Sequence, residues 1–239
     1  MRPREDIGSR LDQLDASEAP GAIRLDEPHP LAGRIAILPS AFNPPTSAHV
    51  ALLDVATSAV DAVAPAALLS TKNVDKGLHG ASLAQRIEML LALKSSRPAL
   101  AVLATNAARI ADQARALRGA HPSAEFDFVV GFDTLVRLFE PRYYDGDMAA
   151  QLETFFAHHR VIAANRGEAG VDVLHSYIEA EVPSEFRARI IVRRLDDHPA
   201  SLSSTLARDE AARSGRPLAV PPEVADYIER HRLYSAAAT

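Results

Sequence analysis

The sequence contains no cysteine. Disulfides, zinc-thiolate centres, iron-sulfur clusters and cysteine nucleophiles are therefore excluded, and any metal would have to be held by oxygen or imidazole. Tryptophan is missing as well. No segment approaches the roughly 18 consecutive apolar residues of a membrane-spanning helix. The opening run MRPREDIGSRLDQLDASEAP is charged throughout and lacks the apolar stretch of a signal peptide. A cytoplasmic protein without a membrane partner is expected. There is no run of Lys and Arg either, and the formal charge is -5. A nucleic acid backbone usually demands a basic face, so no nucleic acid partner is expected. His29, His79, His121, His158 and His159 stand at spacings that match no metal-ligand pattern, so no metal site built from protein side chains is expected.

What is present is a chain of 239 residues, 47% hydrophobic and 24% charged, the profile of one globular domain with at most a small appendage. Residues 1–30 carry sparse hydrophobics and end in DEPHPLAG, which reads as an N-terminal extension; residues 31–239 read as a single domain closing in a helical segment. Short apolar runs at 34–39, 66–70, 100–104, 126–130, 160–164 and 189–194 read as strands. Helical spacing falls between and after them, at 48–60, 82–94, 107–118, 147–157, 171–181, 204–213 and 222–231. This alternation predicts an α/β fold, a doubly wound parallel sheet of five to six strands with helices on both faces. Ligands of such sheets bind beyond the carboxyl ends of the strands, near the point where strand order reverses.

Two loops fit that location. After the first apolar run comes SAFNPPTSAHV, where Pro44 and Pro45 stop the strand and pre-set the backbone for a helix. Thr46 or Ser47 can cap that helix, which puts His49 in its first turn with the imidazole leaning back toward an anion-favouring helix start. Near the other end, LSSTLAR repeats the design. Ser203, Ser204 and Thr205 offer a cap and hydroxyl donors, and Arg208 lies one turn above Ser204 on the same face. Its guanidinium can grip phosphate oxygens in pairs. Each loop also has a plain structural reading, as a cap and a packed side chain.

Together the loops resemble the signatures of the nucleotidyltransferase superfamily: Phe42-Asn43-Pro44 with Thr46 and His49, then Ser203-Ser204-Thr205 with Arg208. With KGL (76–78), Arg86 and Met89 in RIEMLLAL, Gly131 and Asp133 in GFD, and the closing VPPEVADYIERHRLY, the chain resembles nicotinamide or nicotinate mononucleotide adenylyltransferases, in a form similar to a divergent fungal branch. The resemblance covers residues 34–234 and implies a Rossmann-like nucleotidyltransferase fold. It implies transfer of AMP from ATP to a mononucleotide, with release of pyrophosphate and magnesium entering with ATP. His49, Thr46 and Arg208 would be the catalytic residues. ATP and its phosphates would meet Ser40, Ala41, Phe42, Asn43, Ser203, Ser204, Thr205, Gly131 and Asp133. Lys72, Lys76 and Arg86 would hold the acceptor.

Departures from the pattern are local. Ser40, followed by Ala41, stands where the family usually has glycine, so a less free approach of backbone to phosphate is expected. With no tryptophan to stack on the pyridine ring, Phe139, Tyr143 or Tyr144 is left for that role. The alternatives are an enzyme of the same fold with another phosphate acceptor, and a nucleotide-binding regulatory module without turnover. Homo-oligomer formation is left open.

Overall fold

The structure is a computed structural model that describes residues 4–72, 80–165 and 170–235. The strands are β1 (Ala22–Arg24), β2 (Ala32–Ser40), β3 (Ala64–Ser70), β4 (Ala101–Thr105), β5 (Ser123–Gly131), β6 (Arg160–Ala164) and β7 (Ile190–Arg193). The α-helices are α1 (Arg4–Asp15), α2 (Ser47–Ala59), α3 (Leu83–Ala92), α4 (Ile110–Ala120), α5 (Phe132–Leu138), α6 (Met148–His158), α7 (Val171–Glu181), α8 (Ser184–Arg187), α9 (Asp197–Ser201), α10 (Ser204–Ser214) and α11 (Pro222–His231).

One sheet of seven strands, in the order β1-β4-β3-β2-β5-β6-β7, runs through the molecule. All its pairings are parallel except β1 with β4. The strands are apolar at nearly every position because both faces are covered, and the two-residue alternation sorts their side chains between two cores. Ala36, Leu38, Ala67, Leu69, Val102 and Ala104 pack with residues of α1, α2, α3, α10 and α11. Ile35, Ile37, Leu68, Leu103, Phe126 and Phe128 pack on the opposite face with residues of α4 to α8. The exception is Asp127, 1% exposed in mid-strand. Arg160 grips its two oxygens at 2.9 and 2.7 Å and Arg34 is a second partner at 3.1 Å, so the buried charge is compensated.

The sheet has one strand more than expected. β1 is three residues long, too short to leave a pattern, and is defined by its register against Leu103–Thr105 of β4. The segment before it forms α1, whose Ile7, Leu11 and Leu14 join the core. Asn106, buried at the end of β4, fixes this segment. Its amide nitrogen donates to the carbonyls of Leu14, Ser17 and Ala19 at 2.9–3.1 Å, and its oxygen accepts the Gly21 N–H at 2.7 Å. The short helices α5, α8 and α9 also lacked a readable period. Among the described residues, no helix is long and apolar enough to cross a membrane.

His159 is enclosed by the rings of Phe126, Phe128 and Phe155. This burial drives its imidazole from about 6.5 down to about 4, although the Phe126 carbonyl pulls the other way. The unfolded chain takes up a proton near pH 6.5 and the native one only near pH 4. Stability from the buried neutral ring is therefore complete above pH 6.5 and is lost as the pH falls toward 4, by on the order of 3 kcal/mol. Urea midpoints measured from pH 7 to 4 are expected to fall through this window, and His159→Gln is expected to flatten the fall. An unchanged slope in that variant would assign the loss to other groups.

Candidate active site

β2 and β5, neighbours at the centre of the sheet, begin the strands' departures in opposite directions, so the order reverses between them. Their register ends at Ile37 and Phe128. β2 runs on to Ser40 along β3, and β5 runs on to Gly131 along β6. Pro39, with no amide hydrogen for a ladder, lies in the part of β2 that has left β5. The sheet thus parts at its carboxyl end, and a cleft of about 490 Å³ opens there, lined by Leu38–Ser40 on one side and Val129–Gly131 on the other.

The cleft carries a charge opposite to that of the chain. Among the described residues Lys72, Arg86, Arg109, Arg137 and Arg208 line it, against the single carboxylate of Asp133. A cleft so lined concentrates polyanions, even in a protein with a formal charge of -5.

The first loop is held from within. Thr46 is the N-cap of α2 and forms a capping box with His49. The Thr46 N–H donates to His49 Nδ1 at 2.9 Å, and the Thr46 hydroxyl lies 2.7 Å from the same nitrogen. A backbone N–H can only donate, so Nδ1 accepts and the ring proton sits on Nε2. Nε2 is 3.1 Å from Ser40 Oγ at the end of β2. The ring rests against Phe42 at 5.1 Å between centroids. His49 is 3% exposed but lines the cleft, so its donor is aligned before a ligand arrives. Left-handed backbone falls on Phe42 (φ 44°), not on Ser40 or Ala41. The Cβ atoms at the two positions where the family has glycine or its neighbour therefore cost no backbone strain.

The second loop closes on the first. Ser203 caps α10 through the Leu206 N–H at 3.1 Å, Ser204 Oγ donates to the Pro44 carbonyl at 2.9 Å, and Arg208 Nη1 donates to the Asn43 carbonyl at 2.8 Å. Arg208 Nη2 reaches Thr205 Oγ1 at 3.1 Å. The Asn43 side chain is buried, its oxygen accepting from the Tyr234 hydroxyl at 2.8 Å and the Ala81 N–H at 3.3 Å. Arg86 completes the support: 4% exposed, it donates to the carbonyls of Ala81 and Ala41 at 2.9 and 3.3 Å. Burial pushes its guanidinium below the ordinary value, with Arg208 adding repulsion and Tyr234 opposing it. Burial likewise pushes the Tyr234 phenol up.

His49, Ser40, Ala41, Phe42, Asn43, Ser203, Ser204, Thr205, Arg208, Gly131, Asp133, Lys72 and Arg86 all line this one cleft, with Thr46 directly behind His49. Lys76 lies outside the described residues. Of the three stacking candidates, Tyr143 and Tyr144 line the cleft, whereas Phe139 stacks on Phe156 in the core. Five further polar residues in the lining escaped sequence reasoning: Ser70, Arg109, Gln113, Thr134 and Arg137. Arg109 and Gln113 lie just past the end of β4, and the rule that ligands bind beyond strand ends could have found them. Among the described residues, no group of three or more His, Asp or Glu could hold a metal ion.

Comparison with known proteins follows this geometry. A Schizosaccharomyces pombe protein, provisionally assigned as a nicotinamide mononucleotide adenylyltransferase, is 29% identical over 220 residues, covering 83% of this chain and 87% of the other. The structure of Plasmodium falciparum nicotinic acid mononucleotide adenylyltransferase complexed with NaAD superimposes with a TM-score of 0.63 at 17% identity, over 84% of this chain and 97% of that one. Its complex with APC gives 0.60 at 16% identity, over 84% and 96%. At such identity the likeness is one of fold. Residues 37–209, which run from the first loop through Arg208, match the cytidylyltransferase-like family, and the chain belongs to that family.

Proposed function

We propose that the chain is an adenylyltransferase that moves AMP from ATP to nicotinamide or nicotinate mononucleotide, releasing pyrophosphate. The observation that carries this reading is the closure of α10 on the Asn43-Pro44 turn, which brings His49 and Arg208 to one cationic cleft. The 29% identical relative, covered over most of its length, supports the choice of reaction.

A 5′-phosphate oxygen of the acceptor attacks the α-phosphorus of ATP as the bond to the bridging oxygen of pyrophosphate breaks on the opposite side. The phosphate is already an anion, so no side chain has to take a proton or form a covalent intermediate. The protein aligns the reactants and meets charge on the phosphoryl oxygens. His49 Nε2–H, turned from Ser40 Oγ, donates to an α-phosphate oxygen. Arg208, whose guanidinium has more N–H donors than its two bonds use, holds the β- and γ-phosphates with the hydroxyls and amides at the start of α10. Thr46 keeps the proton of His49 on Nε2. Lys72 reaches the acceptor's phosphate, while Arg86 holds the Ala41 and Ala81 carbonyls that shape the loop. Magnesium would come bound to ATP and would neutralise charge on its phosphates. Among the described residues of the lining Asp133 is the one carboxylate that would be available to it, which suits an ion held mainly by nucleotide and water. The compartment proposed is the cytoplasm.

The test is purified protein with ATP and magnesium, offered each mononucleotide separately, with dinucleotide and pyrophosphate both measured. Equal yields of dinucleotide and pyrophosphate are expected. Pyrophosphate without dinucleotide would assign another acceptor, and ATP binding without turnover would assign a regulatory module.

A further inference from the structure

Among the described residues, two buried side-chain polar atoms have no hydrogen-bond partner: His121 Nε2 and Gln113 Oε1. Only Gln113 lines the cleft. It is 4% exposed and lies in the first turn of α4, on the wall built from the ends of β3 and β4. Its Nε2 donates to the Ala107 carbonyl at 3.2 Å. A carbonyl only accepts, so the amide cannot be turned over without setting two oxygens against each other. What is left over beside the cleft is an acceptor, and an unmet buried acceptor is costly unless a ligand supplies an N–H or O–H.

The surroundings narrow the ligand group further. Arg109, four residues earlier at the N-cap of α4, is committed to Asp145 through both of its terminal nitrogens. The Arg137 guanidinium lies over the Tyr143 ring, 5.9 Å from its centroid. The Tyr144 hydroxyl donates to the Leu138 carbonyl at 2.5 Å. Tyr144, half-buried in the same lining, puts an aromatic ring beside this wall, and the leftover oxygen suits a neutral donor at the edge of a flat ring packed there.

We propose that Gln113 is a specificity residue that selects an acceptor bearing a primary carboxamide over one bearing a carboxylate. This rests on the adenylyltransferase reading and makes nicotinamide mononucleotide the preferred acceptor. The carboxamide N–H donates to Gln113 Oε1; a carboxylate there sets an anion against a carbonyl oxygen and leaves both unmet. A site built to hydrogen-bond one group rejects an analogue lacking the donor, here by at least about tenfold in kcat/KM.

The experiment measures kcat/KM for nicotinamide and nicotinate mononucleotide, and KM for ATP, in the wild type, Gln113→Met and Gln113→Glu, with thermal melting as a control on folding. The wild type is expected to favour the nicotinamide form. Gln113→Met removes the acceptor at nearly constant length and is expected to bring the ratio close to one, mainly by loss of the nicotinamide reaction. Gln113→Glu keeps an acceptor and adds charge but gives up the bond to the Ala107 carbonyl, so it is expected to lower both reactions while raising the ratio through repulsion of the nicotinate carboxylate. A merely structural role lowers both reactions together and moves the ratio in neither variant, which would overturn the proposal. So would a wild-type preference for nicotinate mononucleotide, or an effect confined to the KM for ATP, which would give the oxygen to the adenine amino group. Absence of turnover with either acceptor would instead remove the reading beneath it.

Discussion

Replacing His49 by alanine is expected to lower kcat by at least about a hundredfold while changing the KM for ATP by less than about threefold. The expectation rests on where the donor stands. The Thr46 N–H fixes the ring proton on Nε2, and the ring is packed against Phe42 before any ligand is present. A donor already aligned costs no reorganisation when charge develops on the α-phosphate, so its contribution falls on the transition state and little on ground-state binding. The Thr46 hydroxyl still caps α2 in the variant, so its melting temperature should fall by only a few degrees, as for loss of about 1 kcal/mol. Steady-state rates with ATP varied at saturating mononucleotide give both constants. A variant that turned over at the wild-type rate would remove His49 from the chemistry.

Arg208→Ala is expected to act on both constants. On the proposed reaction it removes charge from the β- and γ-phosphates, and it also frees the Asn43 carbonyl of the first loop. A fall of about a thousandfold in kcat/KM for ATP is expected, split between binding and turnover. Arg208→Lys restores the charge, but a single ammonium cannot span Asn43 O, Thr205 Oγ1 and a phosphate as the planar fork does, so it should recover about a tenth or less of the loss. Calorimetric titration with a non-hydrolysable ATP analogue separates the binding share. Recovery of full activity by lysine would show that charge alone is used at this position.

The six strands other than β1 were readable because burial turns each into an apolar run, as in ALLS of β3 or FVV of β5. His49 and Arg208 were readable because their loops each pair a cap with a phosphate-seeking group at a strand end. The residues that stayed hidden act through partners distant in sequence. Nothing around Asn106 announces that its amide will bind carbonyls 87–92 residues earlier. Arg86 is marked by the resemblance as an acceptor ligand, but nothing in its helix announces that it is buried and braces the Ala41 carbonyl 45 residues away. Gln113 is an ordinary helical residue until the position of Ala107 settles which end of its amide is left over. Even the α1 segment, sparse in hydrophobics, places the three it needs, Ile7, Leu11 and Leu14, on the core.

The two bonds that join α10 to the Asn43-Pro44 turn span 160 and 165 residues of chain. During synthesis, at about 5–20 residues per second, the first loop leaves the ribosome well before its partner has been made. For that interval the nascent protein carries half a nucleotide site. On the proposed function, ATP would stabilise only chains that have been extended past Arg208 and have brought α10 home, by an amount that grows with the nucleotide concentration relative to its dissociation constant. Chains stalled earlier would lack that protection.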